Sequence, residues 1–279
     1  MMKTRILTSL ILMLAFIAAL FLLPGVWWAL AMLLVIAMGG WEWGRLAGFS
    51  ATGQNIFVIL IIAAGLAMTP GLWPSPAMAY FTFGALLWGT LLAVVFWLLI
   101  VPVSLFMHRS ARGAVFISIT GFLVLLPTWL ALTHLRSIHP ALLLALVGTV
   151  WVADSAAYFA GKAFGRHKLV PEISPGKTWE GVGGALLAVT IYGLLLCQLL
   201  HFHDYWLIPG LWALTIMSII GDLFESLLKR NVGIKDSGNI LPGHGGILDR
   251  IDGLTAMLPI TVFYILFPLY VSAFHVLSA

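Results

Sequence analysis

Two long stretches of this chain, residues 6–41 and 46–108, contain no Asp, Glu, Lys or Arg. Each far exceeds the ~20 apolar residues that one membrane-spanning helix needs. Pro and Gly breaks divide the apolar sequence into nine expected spans, near 6–23, 26–44, 55–69, 79–101, 114–133, 141–161, 181–200, 205–228 and 253–275. Pro24-Gly25 makes a tight turn between the first two, and Pro70, Pro74 and Pro76 separate the third from the fourth. The run through 79–107 is long enough to tilt, or to kink at Pro102. Lys3 and Arg5 ahead of an apolar stretch, with Ala29-Leu30-Ala31 as a nominal cleavage triple, have the outline of a signal peptide. That triple sits inside continuing apolar sequence, so the segment reads as a retained first helix. The pattern predicts an all-α polytopic integral membrane protein of about nine transmembrane helices, with neither a heptad array nor an alignable internal repeat.

Composition agrees and adds a constraint. The chain of 279 residues is 62% hydrophobic, against about 45–50% for soluble domains. Its 24 charged residues are unevenly placed: nine of the ten acids and eight of the fourteen bases fall between Asp154 and Asp252, and Glu42 is the one acid before residue 150. A charge at the bilayer centre costs several kcal/mol, so such a cluster needs a reason. A cytoplasmic N-terminus puts thirteen of the fourteen bases inside and only Arg136 outside, the asymmetry that the positive-inside rule expects. Two charge-rich loops, 162–180 and 229–252, then face the cytoplasm. The chain divides into N-terminal transmembrane helices over 1–140 and a catalytic transmembrane region over 141–279. In this setting the net charge of +4 reflects topology signals and anion ligands rather than nucleic-acid binding. Cys197, the single cysteine, reads as a small core residue. Trp27, Trp28, Trp41, Trp43, Tyr205 and Trp206 lie near span ends and read as interfacial anchors.

Candidate chemistry begins in the span before the last cytoplasmic loop. Asp222, Glu225, Ser226 and Lys229 recur at i, i+3, i+4 and i+7 and share one helix face. That face turns toward a protein-lined cavity rather than lipid; a helix-end salt-bridge set is the plainer reading. The following loop carries Lys235, Asp236 and His244, with Gly243, Gly245 and Gly246 allowing positive φ and close approach to a ligand. Asp249 and Asp252 lie one helical turn apart where the next helix begins, with Arg250 between them. Carboxylates from two helices at one cavity suit Mg²⁺, which takes oxygen ligands and shares substrate phosphates. The adjoining Lys and Arg side chains suit phosphate oxygens.

A second cluster spans 154–181. Asp154 is an acid inside an apolar run, a functional candidate by default, though it also suits a structural partner for a nearby base. In Ser174-Pro175-Gly176-Lys177-Thr178-Trp179-Glu180-Gly181, Ser-Pro has the form of an N-cap followed by a first-turn residue, and a helix N-terminus favours anions. Gly176-Lys177-Thr178 imitates the end of a P-loop, but Pro171 stands where the earlier glycine belongs, Pro175 has no N–H, and no strand is expected ahead of it. His201-Phe202-His203-Asp204 has the look of a metal cluster but falls in a short loop on the opposite side.

The string Ser226-x-x-Lys229-Arg230-x₄-Lys235-Asp236-x-Gly238-x-x-Leu241-Pro242-x-His244-Gly245-Gly246-x-x-Asp249-Arg250-x-Asp252 resembles the signature of phosphatidate cytidylyltransferases, the CDP-diacylglycerol synthases. Ser174–Gly181, Asp154–Gly161 and Trp41-Glu42-Trp43-Gly44 also resemble motifs of that family, while residues 50–140 match it only in hydrophobicity. The resemblance implies the reaction of CTP with phosphatidate to give CDP-diacylglycerol and diphosphate in the bacterial inner membrane. It further implies Mg²⁺ dependence with Asp222 and Asp249 as metal ligands, and a homodimer. Phosphatidate is already an anion, so the demand on the protein is positioning and charge neutralisation. On that reading Lys229, Arg230, Lys235 and Arg250 serve the leaving diphosphate or the phosphatidate head, and His244 hydrogen-bonds phosphate or nucleotide. Asp236 and Asp252 join the catalytic set. Asp154, Ser174, Lys177, Thr178, Glu225, Ser226, Gly245 and Gly246 line the substrates.

Other classes fit less well. Asp249-x-x-Asp252-Gly253 imitates the start of a CDP-alcohol phosphotransferase motif, but Met257 replaces the required Arg and no acid follows Asp252. A CTP-dependent polyprenol or lipid kinase shares much of the chemistry. A transporter would more naturally show repeated halves or matched broken helices.

Overall fold

The computed structural model describes residues 2–69, 71–107, 114–201, 205–241, 243 and 245–278. Ten helices and one hairpin follow in order: α1 (Met2–Leu22), α2 (Gly25–Leu46), α3 (Ala51–Ala67), α4 (Pro76–Val95), α5 (Val101–Phe106), α6 (Ala114–Ile138), α7 (Pro140–Phe164), β1 (Lys168–Val170), β2 (Ser174–Thr178), α8 (Trp179–Leu199), α9 (Leu207–Asn231) and α10 (Leu248–Ser278). Among the described residues, seven helices are long and apolar enough to cross a bilayer, α4 and α5 counting as one; Thr8–Leu22 and Ala51–Ala67 are shorter apolar helices. This is an all-α polytopic membrane protein. Its surface carries many large apolar side chains, as a lipid-facing exterior requires, including Phe81, Trp88, Leu99 and Tyr264.

The long apolar run from Pro76 to Phe106 does bend. Residues Phe96–Ile100 form a π-helical turn between α4 and α5. Pro102 follows two residues after its end, and its missing N–H removes one bond of the helical ladder, which a widened turn accommodates. The turn sets Phe96 and Trp97 edge-on against Phe224 of α9, with ring centroids 5.5 and 5.6 Å away.

One apolar core runs through both parts of the chain, from Leu20 to Leu266, with α6 packed against α2, α3, α4, α7 and α10. A smaller cluster of Ala153, Ala185, Val189 and Leu211 joins α7, α8 and α9. Two of the expected interfacial tryptophans belong to the core instead. Trp28 and Trp43 are buried and donate through Nε1 to the carbonyls of Leu132 (3.3 Å) and Ile117 (2.8 Å) on α6. Trp27 and Trp41 stay exposed. A helix turns about 100° per residue, so neighbouring aromatics at one span end separate into a lipid-facing and a core-facing member. Arg136, at the far end of α6, donates to the carbonyls of Leu20 and Leu23 and lies over the Trp28 ring.

The hairpin was not expected from the pattern. β1 and β2 pair antiparallel, Lys168 opposite Thr178 and Val170 opposite Ser174. Trp179 N–H donates to the His167 carbonyl (3.0 Å), and Glu180 accepts from His167, closing its base. Ser174-Pro175 therefore lies in a strand, and the helix start moves four residues on. Thr178 is the N-cap of α8, its hydroxyl accepting from Gly181 N–H at 3.1 Å. Cys197 is buried near the far end of α8.

Candidate active site

Five elements converge at one end of the bundle: the C-terminal halves of α2, α7 and α9, the hairpin with the start of α8, and the first turns of α10. The expected helix face of α9 forms as its spacing requires. Ser226 Oγ donates to Asp222 Oδ1 (3.3 Å), and Lys229 Nζ donates to Glu225 Oε2 (2.6 Å). Lys229 also reaches across to Asp249 Oδ1 of α10 at 2.6 Å, so one buried ammonium is held between carboxylates of two helices. Lys177 of β2 forms the matching pair with Asp222 Oδ2, again at 2.6 Å.

Close helix approach makes this possible. A Cβ on Gly221 would stand 2.5 Å from the Asp252 carbonyl, and one on Gly253 would collide with Ser218, so α9 and α10 cross backbone to backbone at the site. Asp252 comes within Coulombic reach of Asp222, Glu225 and Asp154, and its own carboxylate accepts from Gly253 N–H at 2.7 Å. Asp154, on α7, is in similar reach of Asp222, Lys177 and Arg250. The carboxylates thus outnumber the ammonium groups inserted among them, and one of their oxygens, Glu225 Oε1, is buried without a hydrogen-bond partner.

Asp249 is tied to the loop that precedes it. Its carboxylate accepts from Ser237 N–H (3.0 Å to Oδ2) and Gly246 N–H (2.8 Å) as well as from Lys229. Gly243 and Gly245 take the positive φ expected of them, 78° and 81°, and Gly245 pairs with Leu241 in a bridge that closes the loop. Gly246 does not take positive φ, and close approach to Glu42 is what leaves no room for a Cβ there.

Not every candidate points into the cluster. Arg230 is directed at the main chain, donating to the carbonyls of Ile173 (3.3 Å) and Ile234 (3.2 Å), so it clasps the hairpin to the loop after α9. Thr178 spends its hydroxyl on capping α8. Ser174 is half-buried on β2, and Lys235, Asp236 and Arg250 are exposed. His244 lies outside the described residues, as do Phe202, His203 and Asp204.

The sequence pattern gave no place in the site to Glu42 of α2. Its carboxylate is fully buried and accepts from Ser237 Oγ (3.1 Å), Ile247 N–H (3.0 Å) and Leu248 N–H (2.8 Å). The available signal was a lone acid within Trp41-Glu42-Trp43-Gly44, the same kind of intramembrane acid that drew attention to Asp154.

A recess in a membrane protein that gathers carboxylates, ammonium groups and a glycine-rich strap suits a reaction between phosphate anions. Among the described residues no three acidic, imidazole or thiol groups are arranged to hold a metal by themselves. Comparison with known proteins is specific. The profile of the Cytidylyltransferase family matches residues 3–268. A phosphatidate cytidylyltransferase of Pseudomonas aeruginosa is 41% identical over 268 residues, 93% of this chain and 95% of that protein. One of Haemophilus influenzae is 34% identical over 293 residues, 96% of this chain and all of its own. One of Bacillus subtilis is 50% identical over 118 residues, 41% of this chain and 43% of its own. With a family match across nearly its whole length and relatives alike from end to end, this chain belongs to the Cytidylyltransferase family and is a nucleotidyltransferase.

Proposed function

We propose that the protein transfers the cytidylyl group of CTP to phosphatidate, giving CDP-diacylglycerol and diphosphate, in a bacterial inner membrane with the site open to the cytoplasm. The observation that carries this reading is the charge cluster set among the helices, in a chain whose relatives are named phosphatidate cytidylyltransferases. Asp222 lies nine residues from the end of α9, about 13 Å by helix rise, so the cluster runs inward from Lys229 and Asp249 near the helix ends to Asp222. The reaction requires that a water-borne nucleotide and a lipid head both reach this end of the bundle.

The chemistry is in-line displacement at phosphorus. A phosphatidate oxyanion attacks the α-phosphorus of CTP, and the bond from that phosphorus to the oxygen bridging to the β-phosphate breaks. Diphosphate leaves with the electron pair, and no proton has to move. The obstacle is repulsion between two anions, which positioned cations reduce. Lys177 and Lys229 supply ammonium groups already held in place by Asp222, Glu225 and Asp249. Arg250 and Lys235, both exposed, would draw the nucleotide inward.

The donor set fits Mg²⁺. It is all oxygen, it leaves Glu225 Oε1 unpartnered, and Mg²⁺ normally takes one or two carboxylates and completes its shell with water and substrate phosphates. Asp222 and Asp249 would hold the ion, which would neutralise phosphate oxygens and make the α-phosphorus more electrophilic. On this reading the lysines exchange carboxylate partners for phosphate when the substrates enter.

Detergent-purified protein given radiolabelled CTP, phosphatidate and Mg²⁺ is expected to form a CDP-lipid and release diphosphate. Asp222→Asn should lower kcat at least about a hundredfold, the scale of losing one electrostatic stabiliser of a transition state. Near-normal turnover by that variant would sink the metal assignment. A phosphorylated alcohol as the labelled product on thin-layer chromatography would sink the transfer reaction.

A further inference from the structure

The segment Ser237–Leu248 is held between two carboxylates from different parts of the chain. On one side Glu42 of α2 accepts from Ser237 Oγ, Ile247 N–H and Leu248 N–H. On the other, Asp249 accepts from Ser237 N–H and Gly246 N–H. Ser237 gives its hydroxyl to one acid and its amide to the other, and Gly246 and Ile247 divide in the same way. The loop is moulded onto Glu42: a Cβ at either Gly238 or Gly246 would collide with its carboxylate. None of the three donors to Glu42 comes from α2, so the side chain does nothing there for its own helix.

We propose that Glu42 is a positioning residue for nucleotidyl transfer. It fixes the loop and the first turn of α10, and through Ser237 and Gly246 it sets where the Asp249 carboxylate stands against Lys229. Glu42 touches neither substrate; its effect on the reaction passes through Asp249. This assignment rests on the transfer reaction proposed above, but the fastening of the loop does not. Loss of the carboxylate should therefore impair turnover more than substrate capture, because the loop persists while its placement loosens.

Glu42→Gln keeps the size of the side chain but turns an amide NH₂ toward backbone N–H donors. In hydrogen–deuterium exchange on the full-length protein in detergent, this variant should exchange about tenfold faster over 237–249. That is the scale of one lost hydrogen bond to a charged group. Peptides from α6 and α7 should not change. Its kcat should fall by about the same factor while KM for CTP stays near the wild-type value, and half-maximal activity should need more Mg²⁺. Glu42→Asp, which keeps the charge with shorter reach, should fall between the two. Unchanged exchange over 237–249 in a folded Glu42→Gln protein overturns the fastening; faster exchange with unaltered kcat overturns the positioning role. Should Glu42→Gln fail to fold, Ser237→Ala removes one donor and leaves the carboxylate in place. It is expected to show the same changes at smaller size, and wild-type behaviour in both measurements overturns the proposal. A wild-type protein that forms no CDP-lipid refutes the reaction instead, and the exchange measurement still decides the fastening.

Discussion

Lys229 shows how closely charge is balanced at the level of single residues. Its ammonium lies 2.6 Å from both Glu225 and Asp249, and all three side chains are largely excluded from solvent. Removing one member of a buried ionic group leaves the others uncompensated, at a cost of roughly 3–5 kcal/mol, whereas replacing partners together by apolar residues is often far less damaging. Lys229→Met should accordingly lower the thermal unfolding midpoint of the detergent-purified protein by several degrees. Lys229→Met combined with Glu225→Leu should recover part of that loss, because Asp249 keeps its bonds from Ser237 and Gly246. A double variant less stable than the single one would show that Glu225 contributes chiefly through contacts other than the ion pair. These residues were legible in the sequence because one helix face has a fixed period, and Asp222, Glu225, Ser226 and Lys229 follow it. Glu42 was not, since its nearest partner is 195 residues away and no local spacing encodes that meeting.

The same contrast holds for whole elements. Long apolar runs between Pro and Gly breaks locate the helices well, because each must bury its backbone polar groups within itself in lipid. α10 begins at Leu248, one residue ahead of Asp249, so the expected helix entry at Asp249–Asp252 holds although the expected apolar span starts only at 253. Its leading N–H groups at Ile247 and Leu248 are in addition capped by Glu42 of α2, a distant partner that no local spacing encodes. The hairpin escaped notice because strands of three and five residues, one containing Pro175 and Gly176, carry little pattern. The α9–α10 crossing depends on a glycine with no room for a side chain. Gly221→Ala must push Asp252 and its helix away, and backbone cannot yield as a flexible side chain does. We expect a loss of about 1–3 kcal/mol, as for other overpacked contacts, together with a fall in activity as Asp222 and Asp252 separate. Gly183→Ala on α8 is the control: its Cβ meets nothing within 4 Å, and it gains up to about 1 kcal/mol of helix propensity. Equal unfolding midpoints for the two variants would contradict a backbone-limited crossing.

At the scale of the whole molecule, the placement of charge joins topology to chemistry. The acids and lysines of the site occupy one end of the bundle, and Lys168 of the hairpin and Lys235 of the loop after α9 are exposed bases on the segments that adjoin it. Arg136, at the other end, is spent on the carbonyls of Leu20 and Leu23. CTP is made and held in the cytoplasm, so this end must face inward for the proposed reaction, the orientation that the distribution of basic residues favours. The orientation is open to direct measurement because Cys197 is the single native cysteine and is buried. In a Cys197→Ser background, Gly176→Cys places a thiol at the exposed hairpin, where its Cβ meets no neighbour, and Ser137→Cys places one at the exposed opposite end of α6. A membrane-impermeant maleimide should label the hairpin thiol in inverted vesicles and not in intact spheroplasts, and the α6 thiol only in the spheroplasts. The reverse pattern would put the charge cluster on the side that CTP does not reach, and the proposed reaction would fail on topology alone.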